Sequence, residues 1–286
     1  MAGTYFHFWL AHRAYSELFP SDSNRKAKRA AFFAGSVAPD LGFFPGGPRR
    51  FSERLHHEQT GDFLRALRDR VQDDLEWAFV SGWALHLYTD IALHPWVNSQ
   101  VDVLLGNLSG PFSGRRDLWH LRLENGIDCD LLSRDELGFL WDVDIQFPRR
   151  QADCEILIQV GKIFFAGDVR EAQVRQGMES QKKWVRRLPM IFLWTGNVRP
   201  ASPKSGIYPF GRLVKPLVGK ILGDWLGRVQ RWENMAALAR PLWPQPAKLS
   251  WAEKLGIEAL SAFKAGFCEG FDSFENMDLD SGVLTA

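Results

Sequence analysis

The sequence is poor in cysteine and lacks the long apolar runs of a membrane protein. Its 286 residues include only three cysteines, Cys129, Cys154 and Cys268, which are far apart and in no CxxC spacing. This argues against both a disulfide framework and a thiolate zinc site. No stretch of about 18 uncharged apolar residues occurs, so we expect no transmembrane helix. Because the first residues also lack the basic start and the cleavage site of a signal peptide, we expect a cytoplasmic protein.

Excess charge is also lacking, and histidine is absent from most of the chain. The formal net charge is +1, which gives no overall field for a nucleic acid and argues against such a partner. All seven histidines lie at or before His120. Histidines that cluster with carboxylates are typical of a metal site, so the first part of the chain is the place to search for chemistry.

Helical spacing dominates the sequence, and alternating strand patterns are scarce. We predict helices over residues 6–18, 26–37, 54–70, 73–93, 96–105, 115–138, 151–165, 169–187, 211–239 and 251–270. Glycine and proline predict a loop over 41–51 and an excursion between helices over 189–209. The expected fold is an all-α multi-helix bundle, forming a single domain over 1–286. Residues 1–135 would be its metal-binding core, and residues 136–286 would shape the pocket.

The segment 181–250 has an unusual composition. It holds thirteen lysines and arginines and five tryptophans, but only Asp224 and Glu233 as acidic residues. A basic, aromatic surface suits anionic partners such as lipid headgroups or phosphate esters. The alternative is a solvated basic face above tryptophans that pack in the core. The tail after Cys268 is acidic and would offset this charge.

The most informative helix is the one predicted over 73–93. His86, Asp90 and His94 recur at intervals of four residues, which places them on one stripe of an otherwise apolar helix. Their span of about 12 Å exceeds the reach of one ion, so His86 and Asp90 would share one ion while His94 reaches a second. Asp90 is then a candidate bridge. Pro95 predicts that the helix ends at His94. The alternative is a set of polar groups satisfied within the core.

Further candidates precede and follow this helix. His120 and Glu124 are four residues apart and therefore share a helix face. Asp40 follows a small-residue run and a proline, at the end of a predicted helix. His56 and His57 are adjacent, so one is a candidate ligand and the other a neighbour. Each of these signals is weak alone, and together they indicate a histidine–carboxylate metal site.

Five segments, in this order, carry a resemblance to a known family: FHFWLA, GSVAPD, LHHEQTGDF, GWALHLYTDIALHP and HLRLE. Over about residues 1–130 the chain resembles the zinc-dependent phospholipase C family, which is itself similar to zinc-dependent single-strand nucleases. The resemblance implies an all-helical, phospholipase C/nuclease-like fold with a cluster of three zinc ions at one end of a helical bundle.

The resemblance also assigns metal ligands. The first ion is assigned to Asp40, His86, Asp90 and one of His56 and His57, of which we favour His57 slightly. The second ion is assigned to His94, His120 and Glu124, and the third to His7 with Asp90. The third site also uses a processed N-terminus in the family, so we expect two ions, or three at most. Zinc is the expected metal, although Mn2+ or iron also suits histidine and carboxylate ligands.

The function implied is a metal-dependent hydrolase of phosphoester bonds that uses a metal-activated water, with Asp40 as the catalytic carboxylate. Arg49 and Arg50, in the predicted loop, are candidate substrate-binding residues. The expected partners are a phosphoester or another anionic small-molecule or lipid substrate, with peripheral membrane contact. One alternative is a repurposed metalloenzyme of the same fold that acts on a small metabolite in a cytoplasmic pathway. Another is a non-catalytic protein that binds membrane surfaces and keeps a residual metal site.

Overall fold

A computed structural model describes most of the chain. The described residues are 3–19, 24–106, 116–148, 155–165, 170–198, 241–242 and 244–285. The chain divides into two compact units. The first comprises residues 1–9, 96–143 and 185–252, and the second comprises residues 10–95, 144–184 and 253–286. The predicted single-domain organisation stays a prediction, and each unit is described by itself.

The described residues are mainly helical, which confirms the predicted all-α class. The α-helices are α1 (Thr4–Leu18), α2 (Arg25–Gly35), α3 (Arg49–His57), α4 (Thr60–Arg68), α5 (Asp74–Gly106), α6 (Arg116–Leu132), α7 (Glu155–Phe164), α8 (Glu171–Trp194) and α9 (Pro246–Cys268). Two 3-10 helices cover Ala38–Phe43 and Asp135–Asp142. Two short strands, β1 (Met277–Asp278) and β2 (Val283–Leu284), pair antiparallel. Within these described ranges no helix has the length and apolar character needed to span a bilayer.

Helix α5 is longer than the sequence predicts. It runs unbroken for 33 residues through Pro95, so the prediction of a helix end at His94 and of a separate helix over 96–105 is wrong. An internal proline loses one backbone hydrogen bond and costs a helix about 3 kcal/mol. Leu93 and His94 are completely buried, and burial of this stretch offsets that cost. His94 therefore continues the same helical stripe as His86 and Asp90.

Between α2 and α5 the structure contains more helix than predicted, and one predicted helix is split into two. The predicted loop over 41–51 is partly helical, because the 3-10 helix reaches Phe43 and α3 begins at Arg49. Ser52 closes this segment by accepting a 2.8 Å hydrogen bond from the Gly42 amide. The helix predicted over 54–70 is two helices, because Gln59 adopts a left-handed conformation (φ 51°) between α3 and α4.

Two glycines bring α2 and α5 into backbone contact within the second unit. A Cβ atom on Gly35 would overlap the carbonyl oxygen of Phe79, and a Cβ atom on Gly82 would overlap that of Phe32. Only glycine permits so close an approach. The crossing places Ser36, which follows α2 directly, beside His86 on the next turn of α5. This small-residue contact therefore sets the position of one candidate ligand.

In the first unit, α6 holds the beginning of α1. The buried carboxylate of Asp128 accepts hydrogen bonds from the amides of Tyr5 and Phe6, each at 3.0 Å. These amides lie in the first turn of α1, where the Phe6 amide also donates to the Gly3 carbonyl at 3.0 Å, so Asp128 caps the helix that carries His7. The hydroxyl of Tyr5 donates to the Val185 carbonyl at 2.6 Å.

Further predictions concern residues after 114. Helix α6 ends at Leu132 and a 3-10 helix follows, so the helix predicted over 115–138 is too long. Helix α8 continues through Pro189 to Trp194, so the excursion predicted from Pro189 is wrong over those residues. The predicted helix over 211–239 and most of the basic segment 181–250 lie outside the described residues.

Candidate metal centre

Four predicted ligands come together in the second unit. Asp40 lies on the 3-10 helix, His56 lies in the last turn of α3, and His86 and Asp90 lie one turn apart on α5. All four side chains are buried, none being more than 3% exposed. Charged groups this deep in a protein need partners, because burial without compensation costs several kcal/mol or more.

The distances between these side chains match the size of a ligand sphere. His56 Nε2 lies 3.1 Å from Asp40 Oδ1, His86 Nε2 lies 3.0 Å from Asp90 Oδ2, and the two Nε2 atoms are 3.5 Å apart. Ligand atoms bound tetrahedrally to zinc at 2.0–2.2 Å are separated by roughly 3.4 Å. One ligand atom each from Asp40, His56 and His86 lies within 4.8 Å of the others. The spacing therefore fits one divalent ion.

The hydrogen bonds of the two imidazoles fix their tautomers. His56 Nδ1 lies 2.7 Å from the Ser52 carbonyl, and His86 Nδ1 lies 3.0 Å from the Ser36 carbonyl. A carbonyl oxygen only accepts, so each Nδ1 must carry the proton that it donates. Each Nε2 faces the carboxylates and becomes a ligand atom once it carries no proton of its own. This arrangement is the usual outer support of a histidine metal ligand.

The electrostatics of the cluster favour a positive charge. Burial alone would lower the pKa of His56, but hydrogen bonds and attraction from Asp40 and Asp90 raise it to about 10. Burial would likewise raise the pKa of Asp40, yet the charge of His86 and a hydrogen bond from His56 hold it below its usual value. A proton on His56 occupies the place between the carboxylates that a metal cation would take.

Asp90 presents its two oxygens to different histidines. Oδ2 faces His86 and lies 3.6 Å from His56 Nε2, whereas Oδ1 lies 3.6 Å from His94 Nε2. His94 is fully buried, and its Nδ1 lies 2.8 Å from Asp280 Oδ1. Asp90 therefore faces His86 and His94 at once, and its role as a bridging carboxylate stays a prediction.

The first unit contains the other predicted ligands. His120 Nε2 lies 2.7 Å from Glu124 Oε1, and His120 Nδ1 lies 2.9 Å from the side-chain oxygen of Asn98. The predicted pairing of His120 with Glu124 on one helix face is thus present in α6. His7 is fully buried on α1.

Three predicted site residues lie outside the cluster. The side chain of His57 is 43% exposed and lies 3.5 Å from Asp278, so the structure brings His56 rather than the favoured His57 to Asp40. Arg49 is exposed and pairs with Glu53 at 2.8 Å. Arg50 is also exposed.

The groups that orient the histidines cannot be found from the sequence pattern. The carbonyls of Ser36 and Ser52 act through the backbone, so no side-chain pattern could reveal them. Asp280 was interpreted only as part of an acidic tail that offsets basic charge. Its place beside His94 depends on a contact across 186 residues of sequence, for which one sequence gives no signal.

These features define an all-α protein with a buried histidine–carboxylate cluster fit for a divalent metal. The model of the zinc-dependent phospholipase C family matches residues 6–156, more than half of the chain, and the chain belongs to this family. No curated protein and no solved structure matched the chain. The matched range contains every predicted ligand. Family and cluster together support a metal-dependent hydrolase with zinc as its metal.

Proposed function

We propose that the protein is a zinc-dependent phosphodiesterase of the phospholipase C type, in which Asp40, His56, His86 and Asp90 hold one ion. The observation that carries this proposal is the convergence of two imidazole Nε2 atoms on two carboxylates in a buried site. The further ligands proposed from the family resemblance are His7, His94, His120 and Glu124. The engaged Nδ1 atoms of His94 and His120 support their part in this set.

The proposed reaction is hydrolysis of a phosphodiester. When bound, zinc would lower the pKa of a water molecule and offset the negative charge of the phosphoryl group. Asp40 is a buried carboxylate beside the two imidazoles, so it would orient the attacking water and accept a proton from it. The water oxygen bonds to phosphorus as the bond to the leaving alkoxide breaks and that oxygen gains a proton. The products are a phosphomonoester and an alcohol.

The proposed substrate is a lipid phosphodiester or another anionic phosphoester. The family supports this class, and the basic, tryptophan-rich composition of 181–250 suits an anionic headgroup at a membrane surface. Cytoplasmic location stays a prediction of the sequence.

A substrate panel with the fully zinc-loaded protein tests the proposal. We expect hydrolysis of at least one phosphodiester among substrates with and without acyl chains, abolished by chelation and by Asp40→Asn. The variant Asp74→Asn, which removes an exposed carboxylate that pairs with Lys28, serves as a control that keeps turnover. Zinc-loaded protein that hydrolyses no member of the panel would contradict the proposal and favour a repurposed enzyme or a binding protein.

A further inference from the structure

The C-terminal segment 276–285 lies outside the matched range 6–156 and contacts two proposed ligands within the second unit. The amide of Leu279 donates a 2.8 Å hydrogen bond to the carbonyl oxygen of His56. Asp280 Oδ1 lies 2.8 Å from Nδ1 of His94. A segment that no family motif covers therefore supports both α3 and α5 at the cluster.

The carboxylate of Asp280 determines the tautomer of His94. An ionised carboxylate only accepts hydrogen bonds, so the proton lies on His94 Nδ1 and leaves the Nε2 lone pair facing Asp90. The two neighbouring histidines, His56 and His86, donate instead to neutral carbonyls. A charged acceptor makes its imidazole a stronger donor to a metal than a neutral acceptor does.

The position of Asp280 is itself fixed. Its amide donates to Asp278 Oδ1 at 2.8 Å, and the Ser281 amide donates to the same oxygen at 3.1 Å. The Gly282 amide donates to the Asp278 carbonyl at 2.8 Å, with Gly282 in the left-handed region (φ 68°). These bonds close the turn between β1 and β2.

The segment that bears this turn is attached to α4. The side chain of Asn276 accepts hydrogen bonds from the amides of Gly61 and Asp62, each at 3.0 Å. The hydroxyl of Thr60 exchanges hydrogen bonds with the backbone of Met277 at 2.7 and 3.0 Å. Leu279 is fully buried between these contacts and Asp280. Asp280 is therefore held by a defined structure, although its side chain is 47% exposed.

We propose that Asp280 is a positioning residue of the metal centre, which orients His94 and strengthens it as a zinc ligand. This inference rests on the proposed function, because it requires that His94 bind zinc. It assigns a role to the C-terminal hairpin that the family match does not cover.

Zinc titration of three variants tests this role. Asp280→Asn keeps an oxygen that can accept the bond but removes the charge, and Asp280→Ala removes the acceptor altogether. Outer-shell changes of this kind lower metal affinity by roughly 10- to 100-fold. We expect the affinity of the weakest-bound zinc, measured by competition with a chromophoric chelator, to fall in the order wild type, Asp280→Asn, Asp280→Ala.

The matched control is Glu275→Gln, which removes one exposed carboxylate from the residue that directly precedes this segment. It should bind zinc like the wild type. Metal-free unfolding transitions should coincide for Glu275→Gln and Asp280→Asn, which separates a metal effect from loss of the fold. In addition, 15N NMR of the histidine side chains should show His94 protonated at Nδ1 in the metal-free wild type.

Two outcomes overturn different claims. If the wild type binds zinc and Asp280→Asn binds it within twofold of wild type, the role of Asp280 is wrong while the proposed function stands. If the wild type takes up no zinc at all, the proposed function itself fails.

Discussion

At the scale of single residues, the site depends on where each imidazole places its proton. His56, His86 and His94 each engage Nδ1 with an oxygen and direct Nε2 towards a carboxylate. Asp90 lies between them, with one oxygen for each side. Because Asp90 lies within 3.6 Å of all three Nε2 atoms, its loss should affect metal binding more than the loss of any outer group.

The variant Asp90→Asn tests this. We expect zinc affinity to fall by more than the roughly 10- to 100-fold typical of outer-shell changes. The reason is that the substitution removes the negative charge beside both His86 and His94. Zinc per chain, measured by elemental analysis after gel filtration, reports the result. The control is Asp74→Asn, an exposed carboxylate on the same helix that pairs with Lys28. Equal zinc content in the two variants would contradict the bridging role.

The adjacent histidines provide a second test at this scale. His56→Asn should abolish zinc binding at the cluster, because Nε2 of His56 faces Asp40 and Asp90. His57→Asn should retain it, because His57 is half exposed and faces Asp278. Isothermal titration with zinc compares the two. Loss of binding in His57→Asn with retention in His56→Asn would reverse the assignment.

The sequence predicted part of this arrangement. Spacing alone identified His86 with Asp90 and His120 with Glu124, because residues four apart share a helix face. It could not choose between His56 and His57, because the choice depends on how α3 ends against the 3-10 helix that carries Asp40.

At the scale of elements, the contact between α2 and α5 determines where the site forms. Both helices use glycine where their backbones meet, and the contact carries Ser36 to His86. Helical spacing predicts both helices but not their crossing, because a glycine within a helix does not reveal which backbone approaches it. The length of α5 was not predicted for a similar reason. Burial of Leu93 and His94 stabilises the helix although Pro95 favours a helix end, and one sequence does not reveal that burial.

The variant Gly82→Ala tests this crossing. The added methyl would overlap the Phe32 carbonyl, and overpacking of this kind costs about 1–3 kcal/mol. We expect the free energy of unfolding, from urea denaturation, to fall by that amount. Gly106→Ala on the same helix is the matched control, because nothing described lies within 4 Å of its added Cβ. Equal stability of the two variants would refute the close contact.

At the scale of the whole molecule, the cluster lies within the range that the family model matches. Residues 6–156 contain all the proposed ligands, while the C-terminal hairpin adds Asp280 from outside that range. The all-α class followed from helical spacing. The division into two units did not follow from helical spacing, because it depends on long-range contacts that this spacing does not encode.

Zinc removal should therefore destabilise the protein. A ligand present at 1,000 times its dissociation constant stabilises the folded state by about 4 kcal/mol. We expect chelation to lower the Tm by several degrees and zinc to restore it, as measured by calorimetry. Asp90→Asn, with its site impaired, should show little response. A wild-type Tm unchanged by chelation, in protein shown to contain zinc beforehand, would contradict a buried metal centre.

The most direct test of the central claim is anomalous diffraction at the zinc edge from crystals grown with zinc. We predict an anomalous peak about 2.0–2.2 Å from Nε2 of both His56 and His86, with oxygens of Asp40 and Asp90 completing the sphere. No peak in this cluster, or a peak bound through Nδ1 of these histidines, would contradict the account.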